Sequence, residues 1–359
     1  MTPAIFNTTP FAQQCMLLMD RDGQLFFCIL VCATYGFDDA GEPFALPEQV
    51  PPPLGDEPNG VPGRSSLRRA SAASAAKPSI DFILNATANA PHGQAVTEMA
   101  AGVRVGDWRK VLTVTGDRQR IGLTGTRFSS PQPFVAMPLR YERAFGGSVR
   151  DAADAVSACH LENPVGVGWR GASSSDPSVA SDLPNIGPLG RRMGASDTTF
   201  PVAGFGAVAP NWTPRLNHAG TYDKAWTDSR WPLPPVDLDP RFAQCAPLDQ
   251  QWPHAMPHEE VQLANLTPEG LWRFRMPAPD IGVTVLHSTG AAQYRLRTDT
   301  VYVDAQARTV SVLARHCLTG LRTLGLVREI VIGDVSPGWL RAQRRGKRHV
   351  GRDAPALAD

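Results

Sequence analysis

Within "HAMPHEE" stand His254, His258, Glu259 and Glu260. A zinc protease needs two histidines one helical turn apart with a glutamate between them, so that both rings meet one ion and the carboxylate activates its water. Here Pro253 and Pro257 oppose a helix and no glutamate separates the histidines. The stretch reads as a proline-rich loop. "ERAFGGS" carries Glu142 and Ser148 but lacks the Gly-x-Ser-x-Gly elbow that presents a nucleophilic serine. "GVGWRG", from Gly166 to Gly171, follows no strand and opens no helix, so it fails as a dinucleotide loop. The cysteines at 15, 28, 32, 159, 245 and 317 match no zinc spacing. Cys28 and Cys32 lie in an apolar run, where cysteine acts as a small buried hydrophobe. Neither a metal nor a cofactor is expected.

The richest stretch runs from Val202 to Gln250 and includes "TYDKAWTDSRWPLPPVDLDPR". It has no helical or strand period. Its acids are Asp223, Asp228, Asp237 and Asp239. Two carboxylates beside tryptophans suit a glycosidase, where acids flank the sugar bond. Asp223 or Glu142 would serve in that reading. Against it, the acids alternate with Lys224, Arg230 and Arg241, which suits salt bridges and Asx turns that hold an irregular loop. Tryptophan and arginine together also suit a protein-binding hot spot. Its candidates are Trp212, Arg215, Tyr222, Asp223, Trp226, Arg230 and Trp231. The region is either such a surface or a scaffold with buried tryptophans.

The elements that must position these residues read as strands and turns. "MLLMDRDGQLFFCILVCATYGFDDAGEPF" holds two apolar runs joined by Asp-Arg-Asp-Gly, a hairpin signal. Leu46 to Pro78 is rich in proline and small residues and reads as a long surface loop. "AAGVRVGDWRKVLTVTGDRQRIG" alternates around Gly106-Asp107 and Gly116-Asp117, as an antiparallel meander with one buried face would. Ser129 to Gln250 is mostly turn chemistry. A second hairpin joins Thr300–Val303 to Thr309–Leu313. The tail "LRAQRRGKRHVGRDAPALAD" is basic, then small and polar, and is expected to be disordered.

Composition narrows the class. A chain of 359 residues, 42 % hydrophobic, can bury a real core. Its 33 prolines and 32 glycines argue against long helices. A net charge of +1 removes the electrostatic case for nucleic acid or an anionic membrane as partner. "MTPAIFNTTPF" lacks the basic and apolar regions of a secretory signal. The apolar run Leu25 to Ala33 is far short of the roughly 20 residues a membrane span needs. A cytoplasmic protein is expected.

A series of motifs resembles the type VI secretion system effector-adaptor family. In order they are "NTTPF", "RSSLRR", "KPSIDFI", "VGDWRKVLTVTGDRQR", "PLRYERAFGG", "ENPVGVGW", "DLPNI", "AGFGAVAPNWTPR", "GTYDKAWTDSRWPLPPVDLD" and "APLDQ". They run through nearly the whole chain. The resemblance implies binding rather than catalysis. Such adaptors hold a toxic effector, often one with a PAAR-type domain, and help place it on the VgrG spike. It also implies motif roles for Glu142, Arg143, Phe145, Gly146, Gly147, Asn163, Pro164, Asp237 and Asp239. Departures exist: Cys32 stands where a lysine is usual, Ala70 and its neighbours replace acids after "SSL", and "LPNIGPLG" lacks an acid after the isoleucine.

The expectation is a mainly-β, non-enzymatic adaptor of antiparallel sheets, as a sandwich or open barrel, with long ordered Pro/Gly-rich loops. Residues 1–145 form a β-rich region, 146–335 complete the fold and 336–359 form the tail. A carbohydrate-active enzyme and a structural component of the secretion apparatus are the alternatives.

Overall fold

The run "LFFCILVCATYGF" forms the 13-residue strand Leu25–Phe37. Its residues are almost all buried, whereas a strand with one wet face would alternate. The cause is cover on both sides. Phe26, Cys28, Leu30 and Cys32 enter one hydrophobic cluster. Phe27, Ile29 and Val31 enter another. The chain is described by a computed structural model over residues 3–121, 127–170, 181–194, 197–288, 290–320 and 325–344.

Leu25–Phe37 belongs to a central sheet. Side by side lie Ala12–Met19, Leu25–Phe37, Thr309–Thr319, Arg297–Asp304, Ile80–Asn85 and Gln251–Trp252, with Pro43–Ala45 paired to the end of Leu25–Phe37. Neighbours are antiparallel except Arg297–Asp304 and Ile80–Asn85, which are parallel. One face packs on a five-stranded antiparallel sheet ordered Ile186–Pro188, Trp108–Thr115, Glu98–Val105, Glu260–Ala264 and Leu271–Arg275. Val103, Val105, Leu112, Val261 and Leu263 supply its buried side. The other face packs on Ala4–Asn7, Val327–Ile332, Gly282–His287 and Gly290–Arg295. The fold is therefore mainly β and mostly antiparallel, and none of its sheets closes into a barrel.

Both expected hairpins form. Asp20 accepts from the amides of Asp22 and Gln24 at the first turn. Asp304 accepts from those of Gln306 and Ala307 at the second. The meander forms as Glu98–Val105 and Trp108–Thr115, turning at Gly106. Strands from both sides of residue 145 interleave: Gln251–Trp252 and Arg297–Asp304 flank Ile80–Asn85.

Part of the expected disordered tail is helical. Pro337–Arg344 is a helix, and Trp339 is buried against Leu286 and Val331 on the outer face of the four-stranded sheet. One large apolar side chain docks a segment whose average composition is basic. Residues 345–359 lie outside the described residues. No helix among the described residues is long and apolar enough to cross a membrane.

Candidate functional site

The motif residues find one another across long sequence separations. Glu142, on a single 3₁₀ turn Tyr141–Arg143, accepts at 2.8 Å from the amide and from the hydroxyl of Ser66 in "RSSLRR". The next residue, Arg143, donates to Asp117 at 2.9 Å and to the Asn185 side chain at 3.2 Å. One three-residue turn thus ties three distant motifs together.

Phe145–Gly146 pairs in parallel with Val167–Gly168. Asn163 makes this possible. Its side-chain amide donates to the carbonyls of Tyr141 and Phe145 at 2.8 and 3.0 Å, and its own carbonyl accepts from Gly147 at 2.8 Å. Gly146 has φ +150°, and a Cβ there would stand 2.1 Å from the Asn163 carbonyl oxygen. Only glycine fits. The Pro164 carbonyl accepts from the Ser148 hydroxyl, so this serine is spent on the loop. Phe145 is buried with Leu183, Met193 and Phe200.

The tryptophan-rich stretch divides in two. Trp212 is buried edge-on to Tyr141 at 5.4 Å. Arg215, also buried, donates to the carbonyls of Phe242 and Val208 at 2.8 and 3.0 Å. These two binding candidates are buried and hold the loop to the core. Beyond them the loop turns outward. The segment without period contains three 3₁₀ turns and one short α-helix, Lys224–Ser229, capped by Asp223, whose carboxylate accepts from the Trp226 amide at 2.8 Å. Trp226 packs against Tyr222 at 4.8 Å and donates its indole N–H to Leu233. Arg230 donates to the carbonyls of Pro234 and Arg21. Tyr222 and Trp231 are 58 % and 67 % exposed, and Val236 beside them is equally open at 65 %.

The acids of this loop all have local work. Asp228 pairs with Lys224 at 3.2 Å. Asp237 accepts from the amide and hydroxyl of Thr221, which hold its carboxyl below the usual range. Asp239 is clamped by Arg241, whose side chain and amide push it down to about 2. Arg230 departs from the expected charge pairing by serving carbonyls, since the carboxylates nearby are already engaged.

A second polar cluster escapes sequence reading. Lys77 and Asp81 of "KPSIDFI" form a fully buried ion pair at 2.7 Å. Lys77 also donates to Thr300 at 2.8 Å, and Thr300 to Asp299 at 2.8 Å. Asp299 in turn pairs with buried Arg315, which caps the carbonyls of Ser74 and Ala75. Asp81 accepts further from Gln244 and from the amides of Cys245 and Ala246. Burial, the largest single influence, would lower Lys77, but Asp81, Cys245 and Asp299 together outweigh it and hold the ammonium above the ordinary lysine range. The cluster is closed to solvent and joins four segments. The one sequence signal was the spacing of Lys and Asp four apart in a strand-like motif.

A cavity of about 620 Å³ is lined in part by Lys110, Tyr141, Glu162 and Asp249. Its Asp249 is bound to Lys110 at 2.8 Å, and neither Glu142 nor Asp223 lines it. His254 and His258 lie in turns rather than on a helix, with His258 at φ +60°. Among the described residues no group of three or more His, Cys, Asp or Glu is placed to hold a metal ion.

No curated protein and no solved structure matches the chain. The family described as "Uncharacterized protein conserved in bacteria (DUF2169)" matches residues 22–315, most of the length, and the chain belongs to that family.

Proposed function

We propose that this protein is a non-enzymatic adaptor of the bacterial cytoplasm. It holds a secreted toxic effector, often PAAR-linked, and assists its loading onto the VgrG spike of a type VI secretion system. One observation carries the reading. Glu142, Arg143 and Asn163 of the motif series spend their side chains on other motif residues, while Tyr222 and Trp231 stand out to solvent on a loop anchored at both ends. Exposed aromatics on a fixed loop are what a protein-binding hot spot requires. The enzyme reading finds less support, because Glu142 is engaged by Ser66, Asp223 caps a helix, and neither lines the cavity of about 620 Å³. The motif series supplies the identity of the cargo in this proposal.

The test is affinity purification from a strain that keeps the native gene neighbours. A PAAR-type or toxin protein should copurify, and Trp231→Ala should weaken that complex about tenfold or more, a typical hot-spot loss. Recovery of unrelated proteins alone, together with polysaccharide hydrolysis by the purified chain, would overturn the reading.

A further inference from the structure

We infer that the strand Ala12–Met19 is a docking edge, where an extended segment of a partner polypeptide adds itself to the central sheet. The inference rests on the adaptor reading for the existence of such a partner. Ala12–Met19 pairs with Leu25–Phe37 through its whole length without a bulge. Among the described residues no strand pairs with its other side. A free edge offers a row of N–H and C=O groups that another extended backbone matches.

Native edges are usually blunted by charge, proline, bulges or short length. Among the described residues, the other outer strands of the three larger sheets follow that rule. Ile186–Pro188 is 3 residues long and ends in proline. Gln251–Trp252 is 2 residues long, and Ala4–Asn7 is 4. Leu271–Arg275 carries two arginines, and the Arg275 amide already bonds Gly41. Gly290–Arg295 ends in an arginine paired with Asp280 and Asp334. By contrast, "AQQCMLLM" is 8 residues long, with no charge and no proline. Leu17 and Met19 are 56 % and 42 % exposed. A mostly apolar groove of about 530 Å³ adjoins it, walled by Leu18, Met19, Phe26, Pro210 and Phe242, with charged residues of both signs, among them Arg21 and Asp56, also in its lining.

A second copy of this chain fits the edge poorly. The strand is polar at one end, with Gln13 and Gln14, and apolar at the other, from Met16 to Met19. Any antiparallel self-pairing over six or more of the eight residues sets a glutamine opposite Cys15, a leucine or a methionine, and only the five-residue register centred on Leu17 avoids this. The occupant suited to this edge is a partner's uncharged extended segment, with its own apolar end beside Leu17 to Met19 and a side chain entering the groove.

Random linear peptides displayed on phage, selected on the full-length protein, test this. Winners should be uncharged with alternating apolar residues, and should slow amide exchange across Ala12–Met19. N-methylation of alternate peptide amides should weaken them at least about tenfold, the loss of roughly 1.4 kcal/mol. Leu17→Lys, and Met19→Lys as a second variant, place charge on exposed side chains. Each should abolish binding while keeping the thermal transition. Absence of winners, winners that protect another surface, or winners indifferent to both variants would overturn the inference. So would a concentration-dependent dimer that Leu17→Lys dissolves. Edge-binding winners without a copurifying toxin would keep the docking edge and remove the adaptor reading. A toxin that copurifies equally with Leu17→Lys would do the reverse.

Discussion

Asp81 accepts from five groups, one of them the buried Lys77 ammonium, so its loss should be felt throughout the core. Asp81→Asn keeps the shape and removes the charge, leaving Lys77 buried and unpaired. Breaking a buried pair in this way costs about 3–5 kcal/mol. Urea denaturation should show that loss, and adding Lys77→Met should recover part of it. A loss below about 0.5 kcal/mol, the range of ordinary surface substitutions, would show that the pair does not support the fold. Asp239 tests the surface case. Its folded pKa is depressed to about 2 by Arg241, so its contribution is complete above the unfolded carboxylate range of about 4 and fades as pH falls through about 2. Carboxyl NMR should place its midpoint near that value, and Arg241→Ala should raise it. These two aspartates differ in legibility. Asp239 lies two residues from its partner and could be read as a loop clamp. Asp81 depends on Thr300, Gln244 and Cys245, whose nearness only the folded sheet creates. The same limit hides the bond from Glu142 to Ser66, because a separation of 76 residues carries no local signal.

At the level of elements, alternation was sufficient where one strand face stays wet, and turn chemistry where both faces are covered. The meander around Gly106 and the hairpin around Asp304 to Ala307 could be read directly. Leu25–Phe37 was readable as a strand, but its cover on both faces was not, since a continuous apolar run does not name what packs on it. The terminal helix failed for a different reason. Its neighbourhood is basic, and only Trp339 and Leu340 mark its apolar side. That docking predicts a large effect from one residue. Trp339→Ala removes a buried indole from Leu286 and Val331, and aromatic-to-alanine changes in a core cost about 3–5 kcal/mol. Differential scanning calorimetry should show a clear fall in the transition, and the amides of Val327–Ile332 should exchange faster. An unchanged transition would return this segment to the status of a dispensable tail.

For the whole molecule, the decisive feature is that none of the three larger sheets, among the described residues, is built from a contiguous piece of chain. The central sheet takes Ile80–Asn85 from the first half and encloses it between Arg297–Asp304 and Gln251–Trp252 from the second. The five-stranded sheet joins Glu98–Val105 to Glu260–Ala264 in the same way. Buried ions repeat the pattern: Lys77 and Asp81 precede residue 145, while Thr300, Asp299 and Arg315 follow it. A fragment of residues 1–145 would expose both flanks of Ile80–Asn85 and leave the Lys77–Asp81 pair open on the side that Cys245 and Thr300 close. Open hydrophobic flanks and unsatisfied buried groups make such a piece unstable by itself. The fragment should therefore show collapsed amide dispersion by NMR and no cooperative melt. The full chain should melt in one transition, with hydrogen exchange of Ile80–Asn85 and Arg297–Asp304 governed by the same opening free energy. Mixing the two fragments, 1–145 and 146–344, should restore dispersion, because the interleaved strands supply each other's missing partners. An independently folded 1–145, with its own sharp melt, would mean that the shared sheets are an accessory to two self-sufficient halves, and the cross-chain clasps at Glu142 and Asp81 would lose the structural role assigned to them.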